Sequence, residues 1–314
     1  RNRFREATNA AVARYGAHRV GVILGSSTAG IRSTEIAYRQ RLADARWPED
    51  FDYRRSHALD ALCRFSAEVL GVRGPMVTIS TACSSSAKVF VTAQRWIACG
   101  LIDAAVVGGV DSLCLSTLHG FNALQLLSPE PCRPFDPARG GISIGEAAGF
   151  VLLDRQAAAF NLVAGGESSD AWHMSAPHPQ GAGAQSAMHA ALQSAELAAE
   201  DICYVNAHGT GTLANDRAEA AATRAVFGPH GVPVSSTKGV TGHALGAAGV
   251  TEAIFALQAL EHQELPPSAN LRSLDPELEL DVVTGQRRAT LRYAMSNSFG
   301  FGGSNCSLIF GRAD

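Results

Sequence analysis

The side chains in this sequence best suited to chemistry are one cysteine, two histidines and a lysine, each set among small residues beside an apolar run. In VTISTACSSSAKVF (77–90) an alternating apolar stretch leads into Cys83, and the small residues after it read as a helix start. A thiol at a helix N-terminus gains from the aligned peptide dipoles and nearby donors, which lower its pKa. It can then attack a thioester and form a new one at little thermodynamic cost. The plain alternative is a buried, inert thiol, the commoner fate of a free cysteine. In YVNAHGTGT (204–212), His208 ends an apolar run and precedes a Gly-Thr-Gly-Thr loop. The carboxyl ends of strands are where α/β sheets hold ligands; the alternative is a turn histidine with a structural role. In SSTKGVTGHALGAAGVTE (235–252), Lys238 and His243 share a glycine-rich turn, and Glu252 lies on the helix that follows, placed to fold back as a counter-ion for Lys238. The GxxxxGK[ST] spacing of a nucleotide-binding loop is missing there.

Two further segments have loop composition. SNSFGFGGSNCSL (296–308) separates Phe299 and Phe301 by a single glycine. Exposed aromatics on a glycine loop are costly unless they close over something; otherwise they are two core residues beside a turn. GESSDAWHMSAPHPQG (166–181) carries Asp170 and His173 and reads as a lid or a polar connection. Two histidines acting as donors bind a carbonyl oxygen and stabilise an enolate. No aspartate segment stands out as the third member of a hydrolase triad. The set therefore favours acyl transfer without hydrolysis.

These residues need a layered α/β frame. Short apolar runs at 20–24, 76–80, 104–107, 149–153, 202–206, 232–235 and 308–310 predict buried strands. Between them, 57–70, 84–99, 185–199, 214–227 and 247–260 predict helices. Residues 155–166 are the most linker-like stretch and divide the chain into halves at 1–155 and 156–314, each alternating strand and helix. The chain has 314 residues, nearly half hydrophobic, with 31 glycines and a net charge of −3. There is no basic block for nucleic acid and no apolar run long enough to span a membrane. Seven irregularly spaced cysteines without a CxxC pair argue against a zinc site or a disulfide framework, and predict a reduced, cytoplasmic setting.

Taken together, TACSSS, NAHGTGT, STKGVTGHALGAAG and NSFGFGGSN, in this order, resemble a β-ketoacyl-acyl-carrier-protein synthase of the I/II type. CRPFDPARGGISIGEAAGFVLL and SSDAWHMSAP are further family-like segments, and the likeness runs over essentially the whole chain. The resemblance implies a thiolase-like fold of two similar βαβαβαββ halves in five αβαβα layers, normally dimeric. It implies a decarboxylative Claisen condensation with no permanently bound cofactor and no metal. Cys83 would accept an acyl chain from the phosphopantetheine of an acyl carrier protein, with the N–H groups of Cys83 and Phe301 as oxyanion hole. His208 and His243 would bind the malonyl thioester, organised by Lys238 and Glu252. Thr210 and Thr212 match pantetheine-binding positions. Phe299 and Phe301 would gate the site, together with Asp170 and His173 on a second loop. Thr28 falls where chain-length-selective members carry a bulkier residue lining the acyl pocket.

GVILGSSTAGI, FDYRRSHALDAL and ACSSSAKVF look most like the ketosynthases of aryl polyene pathways. The partner would be a second identical chain or a chain-length factor of the same fold. Arg46, Arg54 and Arg55 are candidates for carrier docking. The alternatives are a non-catalytic chain-length factor, which lacks the nucleophile, and a thiolase, which uses a second cysteine as base. Family members also carry residues before the point where this sequence begins, including a first strand expected at a central sheet position, whose absence would leave backbone groups unpaired.

Overall fold

A computed structural model describes residues 3–313. Its strands are β1 (Val20–Gly25), β2 (Met76–Ile79), β3 (Ala104–Asp111), β4 (Ala147–Asp154), β5 (Phe160–Ser169), β6 (Ile202–Asn206), β7 (Pro233–Ser235), β8 (Glu264–Leu265), β9 (Asp281–Val282), β10 (Arg287–Arg288), β11 (Tyr293–Gly300) and β12 (Ser304–Arg312). Its α-helices are α1 (Arg3–Tyr15), α2 (Ile31–Asp44), α3 (Tyr53–Ser56), α4 (Ala61–Leu70), α5 (Ser85–Ala98), α6 (Leu115–Ala123), α7 (Ala182–Ala195), α8 (Leu213–Phe227), α9 (Lys238–Thr241) and α10 (Ala248–His262). All seven strands expected from apolar runs are present, most of them longer than the runs that flagged them.

Two sheets carry the architecture, in the orders β2-β1-β3-β4 and β5-β12-β11-β6-β7-β9. Helices α5 and α10 lie between them, α5 packing on β1 and β3 and on β5 and β12, α10 on β3 and β4 and on β11 and β12. Both are lined by small residues, so the layers close tightly. A Cβ added at Gly249 of α10 would come within 2.6 Å of the Ala87 backbone of α5. The shared core of Ile23, Phe90, Val107, Tyr204, Val250 and Phe310 runs through this middle layer. Helices α1 and α4 cover the outside of the first sheet, and α7 and α8 the outside of the second, each over its own apolar cluster. The five layers are those the motifs implied.

Two expectations fail. Residues 155–166 are not a linker: most of them enter β5, which pairs antiparallel with β12 from Phe160 to Ser169. Its Gly165–Gly166 pair is a packing device, since a Cβ at Gly166 would fall 2.1 Å from the Ala187 carbonyl of α7. Nor is there a central gap in the first sheet, because β1 and β3 pair directly over six residues. With the short α9, β8, β9 and β10 set aside, the second half reads β5-α7-β6-α8-β7-α10-β11-β12, with β5 at the sheet edge beside β12. Among the described residues the first half repeats this order without a counterpart of β5, and the corresponding position is the outer edge of β4. An edge leaves far fewer backbone groups stranded than a missing central strand.

Candidate active site

Cys83 stands where β2 turns into α5. The turn is sharp: Ala82 adopts a left-handed φ of 52°, a conformation costing an alanine roughly 1 kcal/mol or more. Ser84 and Ser85 hold it, their hydroxyls donating to the Thr81 and Ala82 carbonyls, while Ser85 Oγ accepts from Thr81 N. Ser86 Oγ accepts from Val250 N of α10. The small residues after the thiol thus brace the turn and let the helix start pack closely.

The other groups arrive from the second sheet. His208 follows β6, and Glu219 on α8 takes the N–H groups of His208 and Gly209 on its two carboxylate oxygens at 2.8 and 2.7 Å. His243 follows α9, its backbone stitched to residues 143–145 of the first half: His243 N donates to Ser143 O and Gly145 N to His243 O. Its Nε2 lies 3.0 Å from Cys83 Sγ. The rings of His208 and His243 meet edge to face, centroids 5.2 Å apart. Lys238 Nζ lies 3.3 Å from His208 Nδ1 and donates to the His208 carbonyl and to Glu252 Oε1. The Lys238–Glu252 pairing expected from sequence is therefore formed, and it is fully buried.

Burial governs the electrostatics. Cys83 is pushed up to about 11 by desolvation, and neither Lys238 nor the backbone N–H groups of Phe301 and Cys83 offset it. The expectation of a thiol depressed by the helix start is thus not met in the closed site, because removal from water outweighs the dipole. His208 and His243 lie well below the ordinary imidazole range through desolvation and the nearby Lys238, so both are neutral. Glu219 and Glu252 are each raised to about 7, by burial first.

Cys83, His208 and His243 place one donor atom each within 4.8 Å, the one such group among the described residues. With Lys238 donating to His208 Nδ1, the hydrogen of that neutral ring sits on Nε2. The cluster therefore presents a hydrogen-bond donor where a cation would need a lone pair, and it suits a carbonyl oxygen. The cavity above the sulfur encloses about 70 Å3, room for a few water molecules and not for a long acyl chain.

Phe301, Asp170, Thr210 and Thr212 line that cavity. Phe301 sits in the β11–β12 turn, its ring 5.6 Å from Phe121 of α6, ahead of Gly302 and Gly303, both with positive φ. Two backbone bonds tie this turn to residues 170–178: Gly302 N to Met174 O and Asp170 N to Gly303 O. Asp170 accepts from Asn305 Nδ2 and His178 N. The Thr210 and Thr212 hydroxyls are 3.1 Å apart, and Thr212 caps α8. Phe299 departs from expectation: it also lines the cavity but is a buried strand residue, edge-on to His208, and not part of the glycine loop. His173 is exposed and does not reach the cavity, its Nδ1 accepting from Ser175 N. Thr28 is buried with its hydroxyl and N–H on Asp111, away from the cavity lining. Arg46, Arg54 and Arg55 do not line the cavity either.

Sequence reasoning missed the braces. Asp111 gathers Ser26 Oγ, the N–H groups of Ser27, Thr28 and Ala247, and Thr28 Oγ1. It joins the ends of β1 and β3 to the turn after His243. Arg139, fully buried, reaches Asp216 and Asp275, while Asp216 takes Phe135 N and Gly211 N. One signal was available: Asp216 and Glu219 stand three apart on α8 among alanines, on its buried face.

Matches to known proteins fit this geometry. The family descriptions "Beta-ketoacyl synthase, N-terminal domain" and "Beta-ketoacyl synthase, C-terminal domain" match residues 6–159 and 160–272. The chain belongs to the β-ketoacyl synthase family. It is 40% identical over 304 residues to nodulation protein E of Rhizobium meliloti, covering 93% of this chain and 75% of that one. It is 38% identical over 316 residues to 3-oxoacyl-[acyl-carrier-protein] synthase 2 of Vibrio cholerae, covering 94% and 76%. Among solved structures, a ketosynthase from Xenorhabdus doucetiae in complex with its chain length factor is 42% identical, with a TM-score of 0.93 over 99% of this chain and 78% of that one. The presence of the thiol and both imidazoles disfavours the chain-length-factor reading. Among the described residues, no helix is long and apolar enough to cross a membrane.

Proposed function

We propose that this ketosynthase condenses a malonyl unit with an acyl chain carried on Cys83, both delivered as phosphopantetheine thioesters by an acyl carrier protein. The carrying observation is the sulfur 3.0 Å from His243 Nε2, and the nearby backbone N–H groups of Cys83 and Phe301 work against the burial that raises its pKa. In loading, Sγ bonds to the acyl carbon as the carbon–sulfur bond to pantetheine breaks. The thiol proton passes by way of His243 to the departing pantetheine sulfur, and the two N–H groups hold the oxyanion. A proton relay is needed because the buried thiol stays protonated near neutral pH.

In condensation, the malonyl thioester oxygen takes the Nε2–H of His208, beside the neutral ring of His243. The carbon–carboxylate bond breaks, carbon dioxide leaves, and the electron pair is held as the enolate. The enolate carbon attacks the acyl thioester, a carbon–carbon bond forms, and the Cys83 thiolate departs and takes up a proton. Thr210 and Thr212 hold the pantetheine arm. Phe301 swings aside to admit the chain, with Asp170 on the neighbouring loop, and Thr28 sits beside the route of a long or stiff chain of the aryl polyene type.

Intact-mass measurement with acyl- and malonyl-carrier protein tests this reading. Cys83→Ala should take up no acyl group. His208→Ala should still load but decarboxylate malonyl-carrier protein some 10²-fold or more slowly. Acylation that survives in Cys83→Ala overturns the assignment. The working unit is a pair, this chain with a second one of the same fold, assembled in the cytoplasm on the free edge of β2, where Leu59, Phe65, Val69 and Met76 are exposed. Phe65→Arg should leave single chains by light scattering; an unchanged mass would remove this surface from consideration.

A further inference from the structure

Taking the chain as a ketosynthase, we propose that Asp111 is a positioning residue that sets His243 against the Cys83 thiol, acting through the turn Leu245–Ala247. Asp111 does not line the cavity above the sulfur, so its effect on the chemistry passes through the imidazole.

His243 needs such a support. Its Nε2 faces the sulfur, but among the described residues nothing forms a hydrogen bond with its buried Nδ1. His208, in contrast, has Lys238 at that position. The direction of the His243 ring is therefore fixed through its backbone and its packing. Two residues further on, Leu245 is buried with a left-handed φ of 51°, a conformation such a side chain keeps only where its surroundings hold it. On one side the backbone is held by residues 143–145, which pair with His243 itself. On the other it is held by Asp111, whose Oδ2 accepts Ala247 N at 3.1 Å.

Asp111 suits this task because it is itself fixed. It ends β3, is 2% exposed, and its Oδ1 accepts from Ser26 Oγ, Thr28 N and Thr28 Oγ1, each at 2.7 Å, and from Ser27 N at 2.9 Å. The same strand end is the floor beneath the nucleophile. A Cβ added at Gly109 would come within 2.6 Å of Ser86 Cβ, in the helix start behind Cys83, and 3.2 Å of Ala247 Cα. The helix that carries the thiol and the turn that follows the imidazole thus rest on one piece of β3. Asp111 is the polar group that fastens the turn to it.

The test is alkylation of Cys83 by iodoacetamide between about pH 6.5 and 9, read by intact mass. In the parent, the thiol proton passes to His243 Nε2 as Sγ bonds to the methylene carbon and iodide leaves, so the rate should change little with pH. Asp111→Asn turns an amide N–H toward one of the two loops in place of an oxygen, and the thiol must then ionise into solvent. Its rate should be about tenfold to a hundredfold lower near pH 7, and the deficit should shrink as pH rises. Gly246→Ala strains the same contact with the charge intact, since its Cβ would fall 2.7 Å from Ser27 N and 2.8 Å from Asp111 Oδ2. It should give the same profile. His208, Lys238 and Glu252 also act on Cys83 and are common to parent and variants, so the ratio of rates isolates His243. Asp103→Asn, just before the other end of β3 and paired with Arg19 and Arg155, controls for lost stability and should keep the parent profile. Loading from acyl-carrier protein should lose kcat by a like factor at unchanged KM. A parent rate that itself climbs about tenfold per pH unit, a parent-like profile in either variant that folds, the same pH-dependent deficit in Asp103→Asn, or a loading defect confined to KM would each overturn the proposal. Should Asp111→Asn not fold, Gly246→Ala decides. If the parent takes up no acyl group, the ketosynthase reading fails, and the alkylation profiles still decide the role of Asp111.

Discussion

The two halves follow one plan and place different chemistry at equivalent points. In order, β2-β1-β3-β4 corresponds to β7-β6-β11-β12. Each half uses a buried carboxylate to gather backbone N–H groups from the loop after its inner strand. Asp111 holds the loop after β1, and Glu219 the loop after β6. In the first half the loop side chains are consumed by that brace, since Ser26 and Thr28 also donate to Asp111. In the second half the side chain is left free, and His208 turns to the cavity. The next strand end differs again, β2 leading to Cys83 and β7 to Lys238. The bracing is shared; reactivity lies in the side chains that the braces leave unspent.

Removing the charge that sets the second half apart should have the largest effect on stability. Lys238→Met leaves Glu252 buried without its partner, and stability to denaturant should fall by about 3–5 kcal/mol. The double variant Lys238→Met/Glu252→Gln should recover part of that loss while remaining unable to decarboxylate. Equal losses in single and double variants would show that the pair is not what holds this half.

A subtler difference is in pH dependence. Glu219 and Glu252 titrate near 7 in the fold against an ordinary value near 4.5. The folded chain therefore binds protons more readily than the unfolded one in this window. Their contribution to stability is present below about 4.5 and is lost as pH rises through about 7. Glu219→Gln should flatten the fall in Tm between pH 5 and 7.5, a change on the order of 1–3 kcal/mol. Melting curves that keep the parent slope would place the titration elsewhere. The smallest structural effect belongs to the first half. Thr28→Ile removes one of several donors to Asp111, costing ~1 kcal/mol, yet it should shorten the products, as read by mass spectrometry of the released chains. An unchanged product distribution would confine Thr28 to bracing.

Local patterns carried most of this fold. Apolar runs located the strands that bear Cys83 and His208, and small residues after Cys83 foretold the tight helix start. Glycine pairs misled: Gly165–Gly166 reads as a break, but the strand needs it because α7 crosses Gly166, and Val91 of α5 crowds Gly165, too closely for a side chain. Phe299 was misplaced because its alternation with Gly300 and Phe301 resembles a loop, while its pairing partner Asn305 lies across the turn. Asp111, Arg139, Asp216 and Glu219 stayed hidden for a different reason. Most of their partners are far away in sequence, and a carboxylate that binds backbone N–H groups leaves little pattern in side-chain types beyond the Asp216–Glu219 spacing on α8. The depth at which Cys83 lies, which reverses the expected shift of its thiol, is likewise a property of five assembled layers.

The buried Lys238–Glu252 pair has one more consequence. Mobile ions screen charges at a surface within a Debye length of about 8–10 Å, but they do not enter a closed, water-poor interior. The field that orients His208 and His243 is therefore fixed by the fold and independent of ionic strength. The rate of carbon–carbon bond formation, measured in single turnovers with substrate already loaded, should be the same in dilute buffer and in concentrated salt. Any dependence of overall turnover on salt would then report encounters at the surface, which gives a means of timing arrival and chemistry separately in the same protein.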